Sequence, residues 1–172
     1  MRKVILFIAT SLDGFIARKD GTIDWLFTDD DYGYKEFYDS IDTTLTGGVT
    51  YRQTRTFGEF PYPGKTSFVF SRKPPVNDRN PVNFISSDVA EFVRRLKLKT
   101  GKDIWLVGGG QINTILLNAK LIDKMVISVH PVILGEGIAL FGERPKESFF
   151  GLTDHKAYKS GLTQLTYTTN MG

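Results

Sequence analysis

An apolar run that breaks into three consecutive glycines, Ile104-Trp-Leu-Val-Gly-Gly-Gly-Gln-Ile112, restricts the fold of this chain more than any other stretch. Residues 104–107 have the length and character of a strand covered on both faces. From Gln111 the apolar residues change period, and Ile112, Ile115, Leu116 and Ala119 fall on one helical face. The glycines therefore sit at a strand-to-helix turn. A helix start there offers unpaired N–H groups and a positive dipole end, and the missing side chains let a phosphate approach the backbone. The same pattern also suits a tight turn where a helix packs closely on a sheet. It lacks the third glycine of G-x-G-x-x-G, so the dinucleotide fingerprint is not met.

Strand and helix patterns alternate around this turn. Val4 to Ala9 reads as a central strand, and Ser11 to Asp24 as a long ordered loop holding Gly14 and the turn Lys19-Asp-Gly21. The pattern predicts a helix over Asp31 to Ser40, a strand over Thr43 to Thr46 ending at Gly47-Gly48, and a helical stretch from Thr50. Ser67 to Phe70 and Val82 to Ile85 read as strands flanking a Pro-rich loop. Ser87 or Asp88 caps the next helix, with Glu91 placed for a capping box and Val89, Phe92, Val93 and Leu96 facing the core. Lys124 to Leu134 reads as a long strand. Ala157 to Tyr158 and Leu162 to Thr169 read as a closing antiparallel pair that turns near Ser160-Gly161. The order predicts an α/β fold with an antiparallel C-terminal edge, in one domain over residues 1–172.

Several function classes drop out. With no cysteine, thiol catalysis and thiolate metal sites are excluded. His130 and His155 lie far apart without helical ligand spacing, so no metal site is expected. In Gly64-Lys-Thr66 a P-loop fails: one residue too many separates Gly58 from Gly64, and a strand follows. A net charge of +3 is too small to imply nucleic-acid binding. The basic run from Arg94 to Lys102 alternates with core positions, as a solvated helix face does. The N-terminus shows no signal-peptide cleavage pattern and no segment is apolar enough to span a membrane, so a cytoplasmic location is expected.

In an open α/β sheet, ligands collect at the carboxyl ends of the parallel strands. Here those ends carry residues 10–17, 46–51, 70–73 and 107–110. Two bring glycine pairs, and one brings Ser71, Arg72 and Lys73 together. A hydroxyl beside two cations suits a phosphate monoester such as the 2′-phosphate that separates NADP from NAD.

These residues resemble a family. Ser11-Leu-Asp-Gly-Phe-Ile-Ala17, Asp24-Trp25, Gly47-Gly-Val-Thr-Tyr51, Phe70-Ser-Arg72, Val107-Gly-Gly-Gly110 and Pro131-Val-Ile-Leu-Gly-Glu-Gly137 with Leu140-Phe141 occur in an order and spacing similar to the dihydrofolate-reductase-like superfamily. The group that includes the reductase domain of riboflavin-biosynthesis proteins is the most similar. The resemblance implies a three-layer fold: a mostly parallel central sheet with antiparallel C-terminal strands, flanked by helices.

The resemblance also implies NADPH lying across the strand ends. Its diphosphate would rest over Gly108, Gly109, Gly110, Gln111 and Ile112 and over the Gly47-Gly48 turn, with Val107 a further cofactor contact. Ser71 and Arg72 would hold the 2′-phosphate, and Ala9, Ile16 and Ala17 would wall the nicotinamide. A cis peptide is carried over to Gly108-Gly109. Related sequences have arginine where this chain has Gly48, which removes one charge-assisted contact worth about 1.5 to 3 kcal/mol. Lys65, Arg72 or Lys73 is expected to compensate.

Reduction of a C=N bond is aided by a proton donor within reach of the ring nitrogen. Asp13, Asp30 and Asp31 are the candidate acids, with Asp29 in the same acidic loop. A solvated helix start explains that loop equally well, and Asp13 also suits a turn. Asp24, Trp25 and Tyr51 are the expected substrate contacts, with Phe15, Tyr34 and Phe37 adding aromatic surface. The expected function is an NADPH-dependent reductase passing hydride to a small nitrogen heterocycle of the pterin or ribosylamino-pyrimidine kind. The alternative is a nucleotide- or flavin-binding module that has lost catalysis. Relatives in this group often dimerise, so a homodimer through the C-terminal strands is a further expectation.

Overall fold

The structure, a computed structural model, describes residues 1–169. Eight strands form one sheet, in the spatial order β5-β4-β3-β6-β1-β7-β10-β9. In chain order these are β1 (Val4–Thr10), β3 (Ile41–Gly47), β4 (Thr66–Phe70), β5 (Val82–Ile85), β6 (Asp103–Gly108), β7 (Lys124–Val129), β9 (Phe150–Ala157) and β10 (Thr163–Thr169). The pairings from β5 across to β7 are parallel, while β10 runs antiparallel to both β7 and β9. A small second sheet pairs β2 (Phe15–Ala17) with β8 (Ile138–Ala139). The helices are α1 (Tyr34–Ser40), α2 (Gly48–Thr54), α3 (Val89–Lys97) and α4 (Gly110–Asn118).

The sheet is buried on both faces, and its two sides differ in chemistry. One face is aliphatic: Val4, Leu6, Leu45, Ile104 and Leu106 pack with Val93 and Leu96 of α3 and Leu116 of α4. The other is aromatic, with Ile41, Tyr62 and Trp105 packed against Phe7, Phe37, Tyr38 and Phe60. Phe7 and Phe37 stack at 4.2 Å, and the Trp105 indole donates to the Phe7 carbonyl at 3.0 Å. At the amino end of the sheet, Arg2 is buried against Asp42, and Lys97 pairs with Asp123 at 2.7 Å.

The expected elements exist, with shifted bounds that have local causes. The helix expected from Asp31 starts at Tyr34, because Gly33 adopts a left-handed conformation with φ 79°. The long strand expected to Leu134 ends at Val129, since Pro131 has no N–H to continue the ladder. The strand expected at Ala157 to Tyr158 begins at Phe150 instead. Its charged residues 154–156 lie on the outer edge of the sheet, where charge resists further strand pairing. The loop of residues 11–24 contains β2, which has too few residues for a visible period. Asp88 is the cap of α3, accepting from Glu91 N at 2.8 Å, while the Glu91 carboxylate turns to Arg95.

Candidate cofactor and substrate site

The carboxyl ends of β1, β3, β4 and β6 meet along one edge of the sheet, and glycines allow that meeting. A Cβ on Gly47 would stand 3.0 Å from Ile112 Cγ1 of α4, and one on Gly109 would stand 2.6 Å from Thr50 Oγ1 of α2. Gly108 takes φ 112°, a conformation that side chains resist, and the Gly108-Gly109 peptide is cis. The turn then enters α4 with Gly109 as its cap and no capping side chain. By helix geometry, the amides of Gly110, Gln111 and Ile112 have no partner inside the helix. The result is a turn whose backbone carries no side chain because neighbouring atoms fill the Cβ positions, a cradle edged by the backbone N–H groups at the start of α4.

Thr50 was not foreseen from the sequence. It lies inside the Gly47-Gly-Val-Thr-Tyr51 motif, whose glycines carried the sequence reading, and only the folding of α2 against the Gly108-Gly109 turn brings its hydroxyl to the cradle.

Beside this cradle, β4 ends at Phe70 and is followed by Ser71, whose N–H donates to Ile85 O at 3.0 Å. Ser71 Oγ accepts from Lys73 N at 3.3 Å. Arg72 and Lys73 are exposed, and among the described residues neither has an ion-pair partner. Gly48 is pressed against this loop, because its Cβ would stand 3.1 Å from Ser71 Cβ and 3.2 Å from Phe70 O. The absence of a side chain at position 48 thus has a packing counterpart in Ser71. Lys65 does not compensate for it: Nζ donates to Tyr38 O and Ile41 O at 2.7 Å each and sits 4.2 Å from the Tyr38 ring centre.

On the aromatic face, Ala9 and Val107 are half-buried one rung above Phe7 and Trp105, with Ile16 and Ala17 on β2 nearby. Tyr34 is 37% exposed and meets Trp105 edge-on at 5.8 Å. Burial pushes its phenol above the usual range. Trp25 is 8% exposed, stands perpendicular to the His130 ring at 5.2 Å, and keeps a buried indole N–H without a partner. His130 is buried beside the end of β1, its N–H donating to Thr10 O at 2.8 Å. Its Nδ1 faces Ser128 O at 3.2 Å, an acceptor that assigns the proton to Nδ1, and burial lowers its pKa, so the ring is neutral.

The acids are less free than their positions in the sequence imply. The Asp13 carboxylate accepts from Ser11 Oγ at 2.6 Å and from the amides of Leu134 and Gly135 at 3.1 and 2.8 Å. The Ser11 hydroxyl first, and then these amides, hold it below the usual carboxylate range. Asp31 caps the start of α1 through the amides of Lys35 and Gly33, both at 3.0 Å, and these lower it too. A carboxyl held ionised is a poor proton donor near neutral pH. Asp13 is therefore a clamp and Asp31 a cap. Asp30 is exposed and accepts from Asp31 N at 2.7 Å. Asp29 accepts from the Tyr32 hydroxyl at 2.6 Å.

Two expected substrate contacts are likewise engaged elsewhere. Asp24 forms an exposed two-point pair with Arg18, at 2.6 and 3.2 Å. Tyr51 is 2% exposed, and its hydroxyl donates to Asp78 at 2.9 Å and accepts from Asn80 at 2.9 Å. It anchors α2 to the loop before β5 and offers no free surface. The sequence is silent about the side to which this aromatic turns, and packing turns it inward. Among the described residues, no group of three or more histidines and carboxylates could hold a metal.

Comparison with known proteins fits this geometry. Residues 2–164 match the RibD C-terminal domain family. The uncharacterized protein YwjB of Bacillus subtilis (strain 168) is 39% identical over 170 residues, covering 96% of this chain and 97% of that protein. A second uncharacterized protein of that organism, YyaP, is 35% identical over 181 residues, covering 98% of this chain and 96% of its own. Among solved structures, a putative riboflavin biosynthesis protein from Shewanella sp. PV-4 superposes with a TM-score of 0.84 at 31% identity, covering 96% of this chain and 98% of its own. Dihydrofolate reductase from Enterococcus faecalis, solved with NADP(H), superposes with a TM-score of 0.70 at 18% identity, covering 98% of this chain and 96% of its own. At that identity the likeness is one of fold, and the fold is dihydrofolate-reductase-like.

Proposed function

We infer the function of this chain from the family to which it belongs, that of the RibD C-terminal domain, together with the chemistry of its glycine edge: it is an NADPH-dependent reductase. Its substrate is a small, polar nitrogen heterocycle of the pterin or ribosylamino-pyrimidine kind. The observation that carries this reading is the cradle itself. Cβ positions at Gly47 and Gly109 are blocked by Ile112 and Thr50, so the backbone stays bare where α4 presents its free amides. Arg72 and Lys73 stand beside it without ion-pair partners among the described residues.

When bound, NADPH supplies the hydride. The amides of Gly110 to Ile112 and the Gly47-Gly48 turn hold the diphosphate, with the Thr50 hydroxyl as an added donor. Ser71 and Arg72 hold the 2′-phosphate through charge-assisted contacts. Ala9, Ile16, Ala17 and Val107 wall the nicotinamide. Trp25 and Tyr34 supply the aromatic surface for the substrate ring, and the unpaired Trp25 N–H is a donor to it. Of the three candidate acids we assign Asp30 as the proton source, because it accepts one amide, that of its neighbour Asp31, whereas Asp13 and Asp31 each accept two.

Calorimetric titration with NADPH and NADH at one salt concentration tests this. Micromolar NADPH binding with NADH clearly weaker supports the reading, and no binding of either overturns it. A non-catalytic nucleotide- or flavin-binding module is the second reading, favoured by Gly48 packed against Ser71 and by the engaged acids. A visible flavin band in the purified protein would select it. Among the described residues, no helix is long and apolar enough to cross a membrane. The reductase reading also includes a homodimer through the β9–β10 edge, which light scattering on the purified protein checks.

A further inference from the structure

Residues 131–142 run from the end of β7 across both halves of the glycine edge, and they are tied down at each. On the β1 side, Leu12 N donates to Val132 O at 2.8 Å and Leu140 N to Gly14 O at 3.0 Å. The Asp13 carboxylate takes the amides of Leu134 and Gly135, and β8 pairs with β2. On the α4 side, Asn113 Nδ2 donates to Leu140 O at 2.8 Å, and Gly142 N to Gly110 O at 2.9 Å. The fit there is close: a Cβ on Gly110 would stand 2.6 Å from Ala139 O.

Two features make this more than loop packing. The strand β2, which carries Ile16 and Ala17, pairs with β8 and with no strand of the main sheet. Its Phe15 end is held to the end of β1, with Ser11 N donating to Phe15 O at 2.9 Å, while its Ala17 end is held by β8 within residues 138–142. Asn113, moreover, is fully buried and spends its amide on this segment, while its Oδ1 has no partner. The buried Asn113 amide is thus directed at this segment, and with Gly142 N on Gly110 O it joins α4 to residues 140–142 by two hydrogen bonds.

We propose that residues 131–142 act as a strap that fixes the distance between the nicotinamide wall and the amide cradle, with Asp13 and Asn113 as the positioning residues that hold its two ends. The proposal rests on the cofactor reading above. Neither residue touches the reacting atoms. Asp13 fastens the strap to the loop after β1, and Asn113 fastens it to α4. Hydride transfer depends on a near-attack geometry that small misplacements spoil, and a two-ended strap supplies that constraint to a strand otherwise outside the main sheet.

The test uses Asp13→Ala, Asp13→Asn and Asn113→Ala in the full chain. Asp13→Ala is expected to weaken NADPH about tenfold while leaving adenosine 2′,5′-bisphosphate, which has no nicotinamide end, unchanged. Asp13→Asn, which keeps one acceptor oxygen, is expected to fall between. Equal weakening of both ligands, or of neither, overturns the strap. Amide hydrogen exchange in the ligand-free protein is the second arm. Asp13→Ala and Asn113→Ala should each speed exchange at both 14–17 and 138–142 while α3 keeps its protection. Faster exchange confined to 131–135 in Asp13→Ala overturns the strap whether or not NADPH binds. Failure of the unmodified protein to bind NADPH overturns the cofactor reading alone, and the exchange data still decide the strap.

Discussion

The hydroxyl oxygen of Thr50 occupies the space into which a side chain on Gly109 would project, 2.6 Å from the Cβ position. Two helices therefore meet the same turn: α4 grows out of it and α2 closes against it. The cradle is bare because a side chain has nowhere to go. An open turn would have tolerated alanine.

This relationship makes Gly109→Ala costly. The substitution should lower stability by about 1 to 3 kcal/mol through overpacking and abolish measurable NADPH binding. Removing the obstacle with Thr50→Ala in the same chain should recover part of the stability in a thermal melt. Additive losses in the double variant would show that the clash lies elsewhere.

Arg72→Ala should raise the NADPH dissociation constant by about tenfold or more, the worth of one charge-assisted contact, and leave NADH unchanged. Paired titrations measure it. Parallel weakening of both cofactors would remove Arg72 from the 2′-phosphate.

Lys65→Met separates anchoring from phosphate binding. Lys65 donates to two carbonyls at 2.7 Å, so its loss should cost about 1 to 3 kcal/mol in urea unfolding. Cofactor affinity should not move. A drop in affinity with stability intact would return Lys65 to the phosphate site.

His130 makes stability depend on pH. Burial lowers its pKa in the folded protein, so the unfolded chain binds the proton more readily. Stability is complete above the ordinary histidine value, near pH 6.5, and is lost as pH falls from there to the lower folded value. Melting temperature should decline through that window, and His130→Phe should flatten the decline. An unchanged slope in that variant would assign the effect to other groups.

Much of the central sheet was legible because its signals are local. Ile104 to Val107 shows a doubly covered strand, and the change of period at Gln111, carried by Ile112, Ile115, Leu116 and Ala119, shows a helix. Where the reading slipped, the cause was a single residue overriding a pattern. Gly33 delays α1 and Pro131 ends β7. The strands β2 and β8 are too short to display a period at all.

The site divides along the same line. By itself the sequence determined the parallel sheet, the bare strand-to-helix turn and the clustering of glycines, hydroxyl and cations at strand ends, since each depends on residues adjacent in the chain. Only the tertiary structure decided which of these groups are free. Asp13 is spent on amides more than a hundred residues away, at 134 and 135. Tyr51 is spent on Asp78, and Lys65 on the carbonyls of Tyr38 and Ile41. Hydrogen bonds are made by proximity and direction rather than by order along the chain. The chemistry available at this edge is therefore set by contacts that no local pattern records.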